Sequence, residues 1–273
     1  MLTLCATFVL RRKGVLSMSK LAPTYKFLDL SDYGRPLGKR FAFQLKNTRF
    51  TPVHVTLLFG VAGLIAVYCI LHEHFLTAGF FIILKSILDA ADGELSRIKN
   101  TPSYFGRYLD SVFDLVLNFL FLMSVWYITE SSVWLTFLAF LGIQLQGTLY
   151  NFYYVILRNN SVGGDATSKI FEDTPPRALA GETQKKVNTI FRIYKMTYSV
   201  FDKTIYWLDK NASNVKVFPK WFMTMISVYG LGFQLLIIAC MLPLQLKEFI
   251  IPFFIIYTIF ITIFISIRKM YIQ

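Results

Sequence analysis

Apolar residues in this chain come in long runs divided by short polar punctuation. The first run, residues 52–71, is opened by Thr51-Pro52, with proline in the first helical turn, where its missing N–H costs nothing. Further runs lie at about 75–91, 109–127, 133–157, 221–243 and 248–267, each long enough to cross a bilayer as a helix. The pattern predicts an all-α polytopic membrane protein with six transmembrane helices. Residues 1–50 form a basic segment ahead of the spans, and residues 51–273 form the six-helix domain.

Two stretches outside the runs have patterns of their own. Residues 19–50 interleave basic and aromatic side chains, Arg35-Pro36 makes a turn, and 37–47 reads as a short helix lying in the headgroup layer. Residues 158–219 begin as a loop and become helical from about Gly181 to Leu208. There Val187, Ile190, Phe191, Tyr194, Tyr198, Phe201, Ile205 and Leu208 recur at three- and four-residue intervals. This is read as a cytosolic amphipathic insert, an interfacial helix or a cap over a site. The stretch Leu2–Leu10 is followed, not preceded, by Arg11-Arg12-Lys13, the wrong order for a secretory signal, and Met18 offers an alternative start.

Composition agrees with the runs. Of 273 residues 55% are hydrophobic and only 16% charged, with mean hydropathy +0.52, which excludes an ordinary soluble domain. The net charge of +12 would suit a nucleic-acid partner, but its lysines and arginines sit in loops between spans and so read as membrane topology. Both termini, including Arg268-Lys269, the 98–105 linker and 158–219 fall on the positive, cytosolic side, whereas the outer loops carry only Lys247. Cys5, Cys69 and Cys240 have neither disulfide nor zinc spacing.

What changes the picture is acid at membrane depth. Asp89, Asp92, Asp110 and Asp114 stand within 26 residues, the first pair spaced i,i+3 and the second i,i+4, so each pair shares a helix face. Two facing helices with two carboxylates each offer hard oxygen ligands, suited to Mg²⁺ or Mn²⁺ rather than zinc. Gly93 and Gly106 leave room for a ligand to approach the backbone, and Arg97 could fork onto a phosphate. Lys85, one turn before Asp89, either balances the carboxylates, touches a substrate phosphate or snorkels to the aqueous edge. The implied ligand is a metal-bound phosphate ester or pyrophosphate.

The run Asp89-x-x-Asp92-Gly93-x-x-Ser96-Arg97, eight residues, then Gly106-x-x-x-Asp110-x-x-x-Asp114 resembles the signature of the CDP-alcohol phosphotransferases. The one departure is Ser96 in place of alanine. The resemblance implies a membrane enzyme of phospholipid synthesis that takes a CDP-activated lipid or alcohol, foremost CDP-diacylglycerol, and an alcohol acceptor, and releases CMP. It implies Mg²⁺ held by Asp89, Asp92, Asp110 and Asp114, with Asp114 also the general base. Gly93, Ser96, Arg97 and Gly106 would border the nucleotide. Thr56 joins them more weakly, because His54 replaces the family's usual asparagine; His54 itself reads as an interfacial residue. The active site would face the cytosol, at the inner membrane in a bacterium, and family members commonly form homodimers.

The acceptor stays open. Chain length looks like members using glycerol phosphate, inositol phosphate, inositol or serine, and residues 105–114 faintly resemble inositol-phosphate relatives. An anionic acceptor would need a basic partner, with Lys85 or a residue of 158–219 as candidate. The polar stripe Gln144, Gln146, Tyr150, Asn151, Tyr153 and Tyr154 either lines a pocket or, for the tyrosines, forms an aromatic belt. Transfer from CDP-choline or CDP-ethanolamine to diacylglycerol is the alternative. An intramembrane prenyltransferase is more distant, its two acidic motifs lying much further apart than the seventeen residues between Asp92 and Asp110 here. A transporter would set isolated carboxylates at the midplane of broken helices.

Overall fold

A computed structural model describes residue 21 and residues 23–160 and 172–272, and among these the regular elements are all helices. The question of where translation starts, and the first part of the 158–219 loop, lie outside the described residues. The helices are α1 (Arg35–Leu45), α2 (Pro52–Leu71), α3 (Phe75–Lys99), α4 (Tyr104–Thr129), α5 (Val133–Asn160), α6 (Gln184–Leu208), α7 (Lys220–Ile226), α8 (Leu231–Met241), α9 (Lys247–Thr258) and α10 (Phe260–Tyr271).

Local chemistry sets several boundaries. Thr51 caps α2 by accepting from the His54 N–H, and the His54 ring nitrogen accepts from the Thr51 N–H in return at 3.2 Å, so His54 is spent on a capping box. Asn100, in the left-handed conformation at φ 52°, ends α3 and starts the elbow to α4. Lys99 holds that elbow against the turn before α2, bonding the carbonyls of Thr48 and Phe50 at 2.8 and 2.6 Å.

Four stretches are long and apolar enough to cross a bilayer: α2, α4, α5 and Lys247–Tyr271. Lys220–Tyr229 with Leu231–Met241 makes a fifth if the pair, bent by 49°, is one span. The sixth expected span differs. Helix α3 has the length, but its apolar stretch ends at Leu84, and Lys85, Asp89, Asp92 and Glu94 occupy the next turns. The fifth bends where Gly230 and Gly232 pass the backbone and side chain of Ser31; a side chain at either glycine would collide there. The last run is interrupted at Ile259 because side chains capture its carbonyls: Thr258 and Gln146 both donate to Phe254 O, at 2.7 and 3.2 Å, and Tyr229 donates to Tyr257 O at 2.6 Å.

Packing gathers the helices into two apolar clusters. One joins α2, α3, α4, α8 and α9 around Phe59, Ile82, Phe121 and Phe254; the other joins the second half of α5 to α7 and α10 around Tyr153, Phe222 and Tyr229. Helix α1 lies on α3 so closely that a Cβ on Gly38 would stand 2.9 Å from the Ile87 carbonyl. Helix α6 buries Val187, Ile190, Phe191, Phe201 and Ile205, the expected stripe, and packs on α4 and α5. Lys247 bonds Glu73 at 3.0 Å, which places the α2–α3 and α8–α9 turns at one end of the bundle. Arg268, near the chain's end, is 4% exposed and paired with buried Asp209, which also accepts from Tyr153 at 2.6 Å.

Candidate active site

Between α3, α4, α5 and α6 lies a cavity of about 520 Å³, within the range of sites that enclose a nucleotide-sized ligand. Asp89, Asp92, Asp110 and Asp114 all line it. Because α3 and α4 are joined by only a short elbow they run antiparallel, and the i,i+3 and i,i+4 faces of the two carboxylate pairs meet.

Asp89, Asp92 and Asp110 each place a carboxylate oxygen within 4.8 Å of the others. Asp92 is 8% exposed and is held by the Thr56 hydroxyl at 2.7 Å, which orients its Oδ2. Asp110 Oδ1 is buried with no hydrogen-bond partner. Three carboxylates crowded together and an unsatisfied oxygen are costly without a cation, and the all-oxygen donor set fits a hard divalent ion. Asp114 stands outside that trio. It is ion-paired with Lys85, which also reaches Asp89 at 3.4 Å and is 1% exposed. The Lys85 ammonium is thus turned onto the carboxylates.

The other expected residues border the same cavity. A Cβ on Gly93 would sit 3.5 Å from the Arg97 guanidinium, and Arg97 pairs with Glu94 at 2.8 Å while its Nε has no partner. Ser96 turns its hydroxyl onto the Thr101 carbonyl at 3.0 Å, so it braces the elbow. Gly106 N–H donates to Ser103 Oγ at 2.7 Å, capping α4 at the cavity rim. The α5 stripe divides by helical register. Gln144, Tyr150, Asn151 and Tyr154 line the cavity, whereas Gln146 bonds into α9 and Tyr153 bonds Asp209. Gln144 is 4% exposed and its Nε2 lacks a partner.

The profile of one known family, described as CDP-alcohol phosphatidyltransferase, matches residues 49–264, which covers α2 to α9 and all four cavity aspartates of α3 and α4. The chain belongs to that family. Membership makes it a transferase of phospholipid synthesis, set in the membrane and served by a CDP-activated substrate and an alcohol acceptor. No functionally curated protein matches the chain significantly.

Several residues that brace the cavity were not singled out by their spacing. Glu94, 2% exposed, joins α3 to α1 by bonding Arg35 at 2.5 Å as well as Arg97; its i,i+3 relation to Arg97 was the available signal. Glu172 accepts from Arg107 through both oxygens at 2.6 Å and from Tyr108 at 2.5 Å. Glu182 accepts from Ser103 and from the Phe105 N–H at 2.7 and 2.8 Å. These two glutamates strap the loop before α6 across the start of α4. Nothing in the sequence pairs residues so far apart.

Proposed function

We propose that this chain transfers a phosphatidyl group from CDP-diacylglycerol to the hydroxyl of an alcohol, releasing CMP, at the cytosolic face of the membrane (the inner membrane in a bacterium). The observation that carries the reading is the meeting of Asp89, Asp92 and Asp110, from two helices, on the wall of one nucleotide-sized cavity. In this reading α3 is a sixth span whose charged half ends at the cytosolic side, with the motif elbow and 158–219 on that side too. Helix α1 lies at the interface, roofing α3.

Mg²⁺, with Mn²⁺ as a substitute, would be held by Asp89, Asp92 and Asp110 and would neutralise the pyrophosphate and the departing CMP phosphate. Gly93, Gly106, Ser96 and Thr56 border the cytidine diphosphate, and Arg97 offers its free Nε to a phosphate oxygen. Asp114 takes the proton from the acceptor hydroxyl as that oxygen attacks the β-phosphorus and the bond to CMP breaks. Lys85 is enclosed with Asp114, so we assign it to holding that carboxylate in place rather than to binding the acceptor.

The test is CMP release by the purified full chain from labelled CDP-diacylglycerol, with Mg²⁺ and a panel of alcohols. Release that depends on an alcohol and disappears in Asp110→Asn supports the reading. No turnover of any CDP lipid with any alcohol of the panel removes it.

A further inference from the structure

The cavity continues past the aspartates toward α6, and the side chains there are of one chemical kind. Asp202 lines this end and, among the described residues, has no hydrogen bond or ion pair. Tyr198 and Tyr194 line it one and two turns earlier on the same helix, stacked with ring centres 5.1 Å apart and 18° between planes; the Tyr108 ring of α4 lies 4.9 Å from that of Tyr194. The Tyr198 hydroxyl donates to the Ser111 carbonyl at 2.8 Å, which sets it beside the turn of α4 that carries Asp110 and Asp114.

Two of the arginines at the wall are held by carboxylates. Arg107 is clasped by Glu172 and Arg97 is paired with Glu94. Lys85 belongs to Asp114. At this end the carboxylate without a partner is Asp202, and it stands beside the aromatic faces of Tyr194 and Tyr198. An anionic acceptor would meet repulsion from Asp202. An ammonium group would meet a carboxylate and the negative faces of the tyrosine rings, the combination that recognises quaternary and primary ammonium ligands.

We propose that Asp202, with Tyr194 and Tyr198, forms the acceptor subsite and selects an alcohol carrying an ammonium group, in preference to phosphorylated or uncharged polyols. This deepens, and rests on, the transfer reaction proposed above. Burial and the nearby Glu172 push the Asp202 carboxyl up to about 7. Gln144, buried with a free Nε2 on the same cavity, adds a donor for an oxygen of the bound alcohol.

The experiment compares CMP release from CDP-diacylglycerol with choline, ethanolamine and L-serine against glycerol 3-phosphate, inositol and inositol phosphate. At least one amino alcohol should be favoured in kcat/KM by on the order of tenfold or more. Asp202→Asn should raise KM for that amino alcohol by a similar factor without changing KM for the CDP lipid. Tetramethylammonium, which lacks a hydroxyl, should inhibit competitively against the amino alcohol and lose that effect in Asp202→Asn. Preference for a phosphorylated or uncharged polyol, or an unchanged KM in Asp202→Asn, overturns the ammonium subsite and leaves transfer standing. Absence of CMP release with every alcohol overturns both.

Discussion

The Lys85 ammonium on α3 and the Asp114 carboxylate on α4 form an ion pair inside the helix bundle, where Lys85 is 1% exposed and lies 4.8 Å from the centre of the Phe59 ring. A charge so enclosed is tolerable only while its partner is present. Lys85→Met should therefore cost about 3–5 kcal/mol, because it strands Asp114 among other carboxylates. The double variant Lys85→Met/Asp114→Asn should regain most of that loss, since both charges go together, but should not transfer. Unfolding of the detergent-solubilised variants measures both effects, and a single Lys85→Met variant as stable as the parent would contradict the pairing argument.

Asp114 stands outside the carboxylate trio, which separates two roles experimentally. Asp114→Asn should abolish transfer while metal-dependent binding of CDP, followed by calorimetry, is partly retained. Full CMP release from this variant would take the general-base role away from it.

The trio itself predicts a metal-dependent stability. Titrating Mg²⁺ with CDP should raise the melting temperature of the full chain, by the free energy that any ligand of the native state contributes, about 2.7 kcal/mol at a hundredfold excess over Kd. EDTA should reverse the rise. Asp110→Asn removes the free carboxylate oxygen and should show neither response, with an otherwise folded chain.

Much of this site was readable along the chain because α-helical spacing is local information. Asp89 and Asp92, or Asp110 and Asp114, must share a face whatever the rest does. The apolar stripe of α6, from Val187 to Ile205, was legible for the same reason. What could not be read depends on which helix lies opposite. Gln144 and Gln146 look alike in sequence, yet two positions rotate one into the cavity and the other onto Phe254 and Thr258 of α9. The bend before Gly230 follows from the close approach of Ser31, and Arg268 is buried because Asp209, at the far end of α6, meets it. Glu172 and Glu182 reach α4 across some sixty to eighty residues, a pairing without local periodicity.

That Asp209–Arg268 pair joins the ends of α6 and α10 away from the cavity wall, with Tyr153 of α5 as a third member. Asp209→Asn leaves the guanidinium buried with a neutral neighbour and should cost about 3–5 kcal/mol. The folded fraction should keep its KM for the CDP lipid, because neither residue lines the cavity. A large KM change at unchanged stability would mean that the pair acts on the site rather than on the scaffold.

Asp202 supplies a dependence on pH with a definite sign. Its carboxyl is raised to about 7 in the folded chain, burial first and Glu172 second, while Tyr194 and Tyr198 are the other titratable groups that feel it. An unfolded aspartate loses its proton near about 3.9. Between those two values the native state holds a proton that the unfolded state has lost, so stability falls as pH rises through the window. Asparagine has no proton to lose. Without acceptor, Asp202→Asn should thus gain melting temperature over the parent as pH goes from about 4 to about 7, with the difference level above that range. Adding tetramethylammonium to the parent at about pH 8 should recover part of the gap, since a bound cation lowers the cost of the charge. A parent and variant whose melting curves stay parallel from pH 4 to 8 would show that Asp202 is not held in the enclosed state described here.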